Sequence, residues 1–209
     1  YFIDTLRRQF QTTRLLRLDH IMGLYRLFWI PSGCNGEDGA YVRYPQEELF
    51  AVLSIESHRG RAGVVGEDLG TVPKPVRAMM DRCGVAGMYV LPFESSAGEK
   101  PPVRPPKPTA VASLNTHDLP TFRAFWEGLD VDERRSLGLL TEAEAVDEFA
   151  RREQLRSAIL DYWKRKKWIG GASPSTKEAL RAALQFLAES DASVVLVNLE
   201  DLWLEAEPQ

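Results

Sequence analysis

The stretch Leu15-Leu16-Arg17-Leu18-Asp19-His20 is a short apolar run that stops at a carboxylate and an imidazole. Two more stretches follow the same plan: Val64-Val65-Gly66 runs into Glu67-Asp68, and Val111-Ala112-Ser113-Leu114-Asn115 runs into His117-Asp118. Short apolar runs that end in polar clusters and are followed by helical spacing mark β/α units. Read this way, the chain has predicted strands at 13–18, 63–65, 87–91, 111–114 and 193–197. Predicted helices lie at 46–58, 73–83, 142–166 and 177–189, and residues 2–10 already read as a helix in progress. Thr71 and Pro73 suit the cap and first turn of the second of these. The segment 33–44 reads as a loop, and the proline-rich segment 95–108 as a long loop between two strands rather than an interdomain linker. The fold class is α/β.

Outward from these runs, composition removes several classes of function. With 44% hydrophobic and 27% charged residues the 209-residue chain is ordinary for a globular domain. A net charge of −4 gives no broad basic surface, which excludes nucleic acid as a partner. The basic run Lys164–Lys167 lies beside Tyr162, Trp163 and Trp168 and reads as the solvated end of an amphipathic helix. Cys34 and Cys83 lie far apart, in no metal-ligand spacing, and suit a reducing cytoplasm. No apolar run is long enough to span a bilayer, so no membrane association is expected. The chain opens on Tyr1, inside a helical pattern, so an upstream segment is expected.

The acids carry the chemistry. In a parallel barrel the C-terminal strand ends converge on one face, so acids at successive ends point into one cleft. Any one of them alone is more simply a helix cap. Three together, with His20 and His117 beside them, weaken that explanation; His58, near a helix end, reads as surface. Retaining cleavage of a glycosidic bond needs a carboxylate nucleophile and a second carboxyl as proton donor, about 5–5.5 Å apart. Arg17, two residues before Asp19 on the same strand face, suits a partner that keeps Asp19 ionised, although a structural ion pair is the plainer role. A buried Glu67 near other carboxylates suits the protonated acid, and Asp118 a stabiliser of the oxocarbenium-like transition state.

Arg17-Leu18-Asp19-His20, Gly66-Glu67-Asp68-Leu69-Gly70-Thr71-Val72-Pro73 and Asn115-Thr116-His117-Asp118-Leu119-Pro120-Thr121 resemble three signature regions of the bacterial amylomaltases (4-alpha-glucanotransferases) of the α-amylase clan. Gly23–Pro31, Gly39–Pro45 and Val197–Trp203 follow the same family pattern, so the resemblance covers nearly the whole chain. It implies a (β/α)8 TIM barrel of which this chain is the C-terminal part, roughly strands four to eight with their helices, truncated at both ends. It implies an enzyme of glycogen and maltose metabolism that moves α-1,4-glucan segments between maltooligosaccharides without a metal or organic cofactor. Residue by residue it makes Asp19 the nucleophile, Glu67 the acid/base and Asp118 the stabiliser, with Arg17, His20, His117 and Asp68 as substrate-binding or supporting residues.

Two other readings use the same residues: an α-glucan hydrolase with the same carboxylates, and a catalytically silent glucan-binding fragment. Trp29 and Trp126 are candidate sugar platforms, with core packing the plainer role for either. Because three barrel strands are missing, the 209-residue chain is expected to self-associate or to distort its edge strands, and to lack transfer activity alone.

Overall fold

Leu6 and Phe10, four residues apart, turn one stripe of α1 (Phe2–Thr12) inward. They anchor the core of the first of two units in a computed structural model that describes residues 1–207. This unit, Tyr1–Met88, continues through β1 (Leu15–Leu18), a 3-10 turn at Ile21–Leu24, β2 (Arg26–Trp29), β3 (Ala40–Arg43), α2 (Gln46–Gly60), β4 (Gly63–Gly66) and α3 (Lys74–Cys83). β1 and β4 pair in parallel, from Leu15 opposite Gly63 to Leu18 opposite Gly66. A parallel pair needs a long crossover, and α2 supplies its helix. Phe50 and Leu53 of α2 are fully buried with Leu6, Ile21, Val64, Val76 and Met80. Val65 bridges in parallel to Ala86, just ahead of β5 (Gly87–Val90).

The segment 33–44 departs from the loop expected of it. It contains β3, which pairs antiparallel with β2, Arg26 opposite Arg43 and Phe28 opposite Tyr41. The glycines and Asn35 mark the connection of a hairpin whose strands are too short to show an alternating pattern. Thr71 does not cap α3 either: Pro73 takes the cap position with no side-chain bond, and Pro75 sits in the first turn.

The second unit begins at Tyr89. Its sheet runs in the order β5, β6 (Ala110–Ser113), β7 (Val194–Leu196), with β6 and β7 parallel. Five helices accompany it: α4 (Phe122–Glu127), α5 (Leu129–Ser136), α6 (Glu142–Arg165), α7 (Thr176–Ala188) and α8 (Leu199–Leu202). Thr141 with Glu144, and Ser175 with Glu178, form capping boxes that start α6 and α7. The sequence reading lacked α4 and α5, which are short and meet at Gly128. There φ is +80° and a Cβ would stand 2.7 Å from the Phe149 ring, so only glycine fits without displacement.

Trp126 is core: it stacks between Phe122 and Trp163 with centroid separations of 5.4 and 5.7 Å. The segment 95–108 is folded into this unit. Val103 is fully buried and bridges Ser95, and the Tyr89 hydroxyl donates to the Arg104 carbonyl at 2.7 Å. No helix among the described residues is long and apolar enough to cross a membrane.

Candidate active site

The register of β1 against β4 ends with Leu18 opposite Gly66, so Asp19 and Glu67 are the next residue on each strand. The ladder continues one step past the strands: the Glu67 N–H donates to the Leu18 carbonyl at 2.9 Å and the Ile21 N–H to the Glu67 carbonyl at 3.1 Å. Gly66 permits this closeness, since a Cβ there would meet Ile21 at 2.9 Å. His20 turns the chain in the left-handed region, with φ 45° and ψ 60°. That turn aims its backbone N–H at Glu67 Oε2, 2.9 Å away, while the Leu69 N–H reaches Oε1 at 2.9 Å.

Glu67 is thus half-buried and takes an N–H on each oxygen, where the sequence suggested a buried, protonated acid. One N–H on each oxygen leaves a further lone-pair site on each, so the carboxyl can bind a proton while both amides stay in place. Asp19 stands in the open, its side chain 77% exposed, and accepts Arg17 Nη2 at 2.5 Å. Arg17, Asp19, His20 and Glu67 therefore form one group, with His20 contributing its backbone.

Asp68 is engaged elsewhere. Oδ1 accepts the Met88 N–H at 2.8 Å and Oδ2 faces Arg77 Nε at 3.4 Å. The carboxylate lies where a Cβ on Gly87 would come within 3.2 Å of it. Oδ1 fastens the end of β4 to β5 and Oδ2 pairs with α3, so this acid sits in a buttressing position.

His117 and Asp118 belong to the second unit, on the loop between β6 and α4. Both are exposed, and His117 Nε2 lies 3.3 Å from Asp118 Oδ2. Within the loop, the Asp118 N–H reaches Thr116 Oγ1 at 3.4 Å and the Leu119 N–H reaches the Thr116 carbonyl at 3.1 Å.

The sequence model of the glycoside hydrolase 77 family, described as 4-alpha-glucanotransferase, matches residues 1–209. The chain belongs to the 4-alpha-glucanotransferase family. A 4-alpha-glucanotransferase of Haemophilus influenzae is 37% identical over 208 residues, covering 96% of this chain and 30% of the relative. One of Mycobacterium tuberculosis is 38% identical over 193 residues, covering 89% and 26%. The chain thus spans less than a third of the length of these relatives. The crystal structure of amylomaltase from Corynebacterium glutamicum superposes with a TM-score of 0.85 at 28% identity, covering 94% of this chain and 29% of that one. The amylomaltase of Streptococcus agalactiae in complex with acarbose shares the fold, with a TM-score of 0.70 at 18% identity.

In this 4-alpha-glucanotransferase-family chain, no group of three or more His, Cys, Asp or Glu among the described residues is placed to hold a metal ion. Asp201 and Asn198, which are not among the residues expected at the site, hold the base of the His117–Asp118 loop through Asn115. Their signal in the sequence is Asn198-Leu199-Glu200-Asp201, which is similar to the family pattern. Trp29, a candidate sugar platform, is exposed, and its Nε1–H donates to the Tyr44 hydroxyl at 3.0 Å.

Proposed function

We propose that the full-length protein carrying this chain is a 4-alpha-glucanotransferase. It moves α-1,4-glucan segments between maltooligosaccharides by retaining double displacement, and this chain supplies strands four to eight of its (β/α)8 barrel. The observation that carries the reading is the placement of Asp19 and Glu67 as next neighbours past the last register pair of two parallel strands. Adjacent strands lie about 4.7–4.9 Å apart, a spacing that suits the about 5–5.5 Å between the carboxyls of a retaining enzyme.

In the first step a carboxylate oxygen of Asp19 attacks the anomeric carbon. The bond from that carbon to the glycosidic oxygen breaks, and Glu67 delivers a proton to the departing 4-hydroxyl. In the second step Glu67 takes the proton from the 4-hydroxyl of an acceptor glucan, whose oxygen displaces Asp19 and regenerates the α-1,4 bond. Arg17 orients the Asp19 carboxylate through its guanidinium. The His20 and Leu69 amides fix the Glu67 carboxylate when it acts as base. Asp118, with His117 beside it, stabilises the positive charge that develops on the sugar ring.

Incubation of the full-length protein with maltotriose tests the proposal. A ladder of longer maltooligosaccharides is the expected product pattern. Glucose and maltose without longer products would establish hydrolysis instead, and unchanged maltotriose would establish a silent protein.

A further inference from the structure

We infer that Asp201 is a positioning residue for Asp118, its buried Oδ1 closing the 115–121 loop at both ends; the inference rests on the proposed role of Asp118. The loop leaves β6 at Asn115 and enters α4 at Phe122. Oδ1 of Asp201 accepts Asn115 Nδ2 at 3.2 Å from the first end and the Phe122 N–H at 2.7 Å from the second. The same Asn115 amide donates to the Pro120 carbonyl at 3.2 Å, and the Asn198 amide donates to Asn115 Oδ1. The Thr121 hydroxyl donates to the Glu205 carbonyl at 2.7 Å. Inside the loop, by contrast, the contacts among the described residues are local: bonds to Thr116 from two and three residues on, and the His117–Asp118 pair. The direction in which Asp118 points is therefore set where the loop ends are tied, and one oxygen atom ties them both.

Helix capping accounts for only one contact of this carboxyl, the Phe122 N–H at the start of α4, and not for its bond to Asn115. Thr121 already caps α4, its Oγ1 accepting the Ala124 N–H at 3.2 Å. Asp201 is 0% exposed, and its Oδ2 has no hydrogen-bond partner among the described residues. Leaving such an atom unpaired in the interior is costly, more so when it is charged. Burial pushes this carboxyl up from its ordinary value, against the Phe122 and Asn115 donors that pull it down. A neutral group that keeps an accepting oxygen at Oδ1 is therefore enough to hold the loop, which makes asparagine the informative replacement.

The test is steady-state kinetics of the full-length protein. Misplacing a catalytic group by about 1 Å costs about 100-fold in rate. Asp201→Ala should accordingly lower kcat on maltotriose by about 10- to 100-fold with KM within about threefold, and Asp201→Asn should restore kcat to within about threefold of the parent. In a cycle measured with an α-glucosyl fluoride donor, Asp201→Ala should cost nothing further in an Asp118→Asn background, since the group it positions is already gone. Multiplicative losses in that cycle would overturn the inference, as would a parent-like kcat in Asp201→Ala accompanied only by a lower Tm. If Asp201→Ala does not fold, Asn198→Ala stands in for it: this residue is half-buried, and removing its amide frees Asn115 Oδ1. The same non-additivity with Asp118→Asn is expected, and a parent-like kcat overturns the inference. Asp118→Asn alone separates the two levels. Parent-like turnover there removes the proposed role of Asp118 and this inference with it, whereas loss of turnover there with a parent-like Asp201→Ala removes the inference alone.

Discussion

The His20 backbone N–H reaches Glu67 Oε2 at 2.9 Å because His20 sits in the left-handed region, at φ 45° and ψ 60°. The contact belongs to the main chain, so the side chain at position 20 matters first through the backbone shape it tolerates. Asparagine and glycine adopt this conformation readily, while a β-branched residue there is strained by about 1–2 kcal/mol. His20→Gly and His20→Asn should therefore keep the thermal stability of the parent within a few degrees, and His20→Val should lower it clearly. Equal melting temperatures for the valine and glycine variants would show that the turn does not constrain Glu67.

Glu67→Gln places an amide where two backbone N–H groups now meet two oxygens. One of those N–H groups then faces another donor, at a cost of about 1–3 kcal/mol that thermal unfolding should register. The catalytic prediction is separate. Turnover of maltotriose should fall by about 100-fold or more, while covalent loading from α-glucosyl fluoride, whose leaving group needs little protonation, should survive. Equal loss with both donors would remove the proton-donor role from Glu67. Asp68 would be a poor replacement, because Met88 and Arg77 already occupy its oxygens.

Asp19→Asn should leave the fold intact and abolish turnover with every donor, since an amide cannot form the ester intermediate. The pair with Arg17 is exposed on the Asp19 side, so its loss should change stability by less than about 1 kcal/mol. Turnover within a few-fold of the parent would exclude Asp19 as the nucleophile.

These three residues show where sequence reading works. Apolar runs ending in polar clusters located β1, β4, β5, β6 and β7, three of them ending in acids, because a strand end and the residue that follows it are local facts of the chain. The β2–β3 hairpin was illegible for the opposite reason: each strand has four residues, and only their pairing across a glycine-rich connection makes them strands. α4 and α5 were hidden by brevity, with Gly128 cutting one helical pattern into two. At the site, spacing picked out Asp19 and Glu67 but could not show that Glu67 is cradled by two amides. Asp68 has the same sequence signature as its neighbour, and only its contacts with Arg77 and Met88 distinguish the two. Asp201 lies 83 residues beyond Asp118, and although its motif follows the predicted strand 193–197, its tie to Asn115 is long-range and so beyond the reach of local reasoning.

In the first unit, Glu56 of α2 is buried and takes Arg7 Nε and Nη2 at 2.9 and 3.0 Å, with Arg59 Nη1 at 2.9 Å. The Arg7 hydrogen bonds hold its carboxyl below the ordinary value of 4.5, against the opposing effect of burial. A carboxyl depressed in the folded state binds protons more weakly than in the unfolded chain. Its contribution is complete above the unfolded value of 4.5 and is lost as pH falls through the lower folded value. Glu56→Gln should therefore lower the melting temperature at neutral pH, and the gap from the parent should close as the pH falls through that acid range. A gap that stays constant with pH would show that the ion pair is not what Glu56 contributes.

The last prediction concerns the 209-residue chain by itself. In the first unit β1 has β4 on one side, and in the second β7 has β6 on one side; no further strand among the described residues pairs with either. Open edges are templates for another chain, and natural proteins blunt them with charge, proline or a cover. β7 is not blunted in this way. Val194-Val195-Leu196 carries no charge, and Leu196, Leu199, Leu202 and Trp203 are all exposed at or just beyond its end. Burying such a surface against a second copy is favoured by about 25 cal/mol per Å² of apolar area, which opposes the entropic cost of association. Sedimentation of the isolated chain should give a species heavier than the 23.6 kDa monomer, in a concentration-dependent equilibrium. Leu196→Lys combined with Trp203→Lys should shift that equilibrium toward monomer, because each places a charge in the surface that association would bury. The chain alone should form no maltooligosaccharide ladder, since walls that exclude water and bind the acceptor are needed as well as the acids. A monomer at every concentration would show that the exposed edge is not an association surface, and a monomer with full transfer activity would show in addition that this segment contains a complete catalytic site.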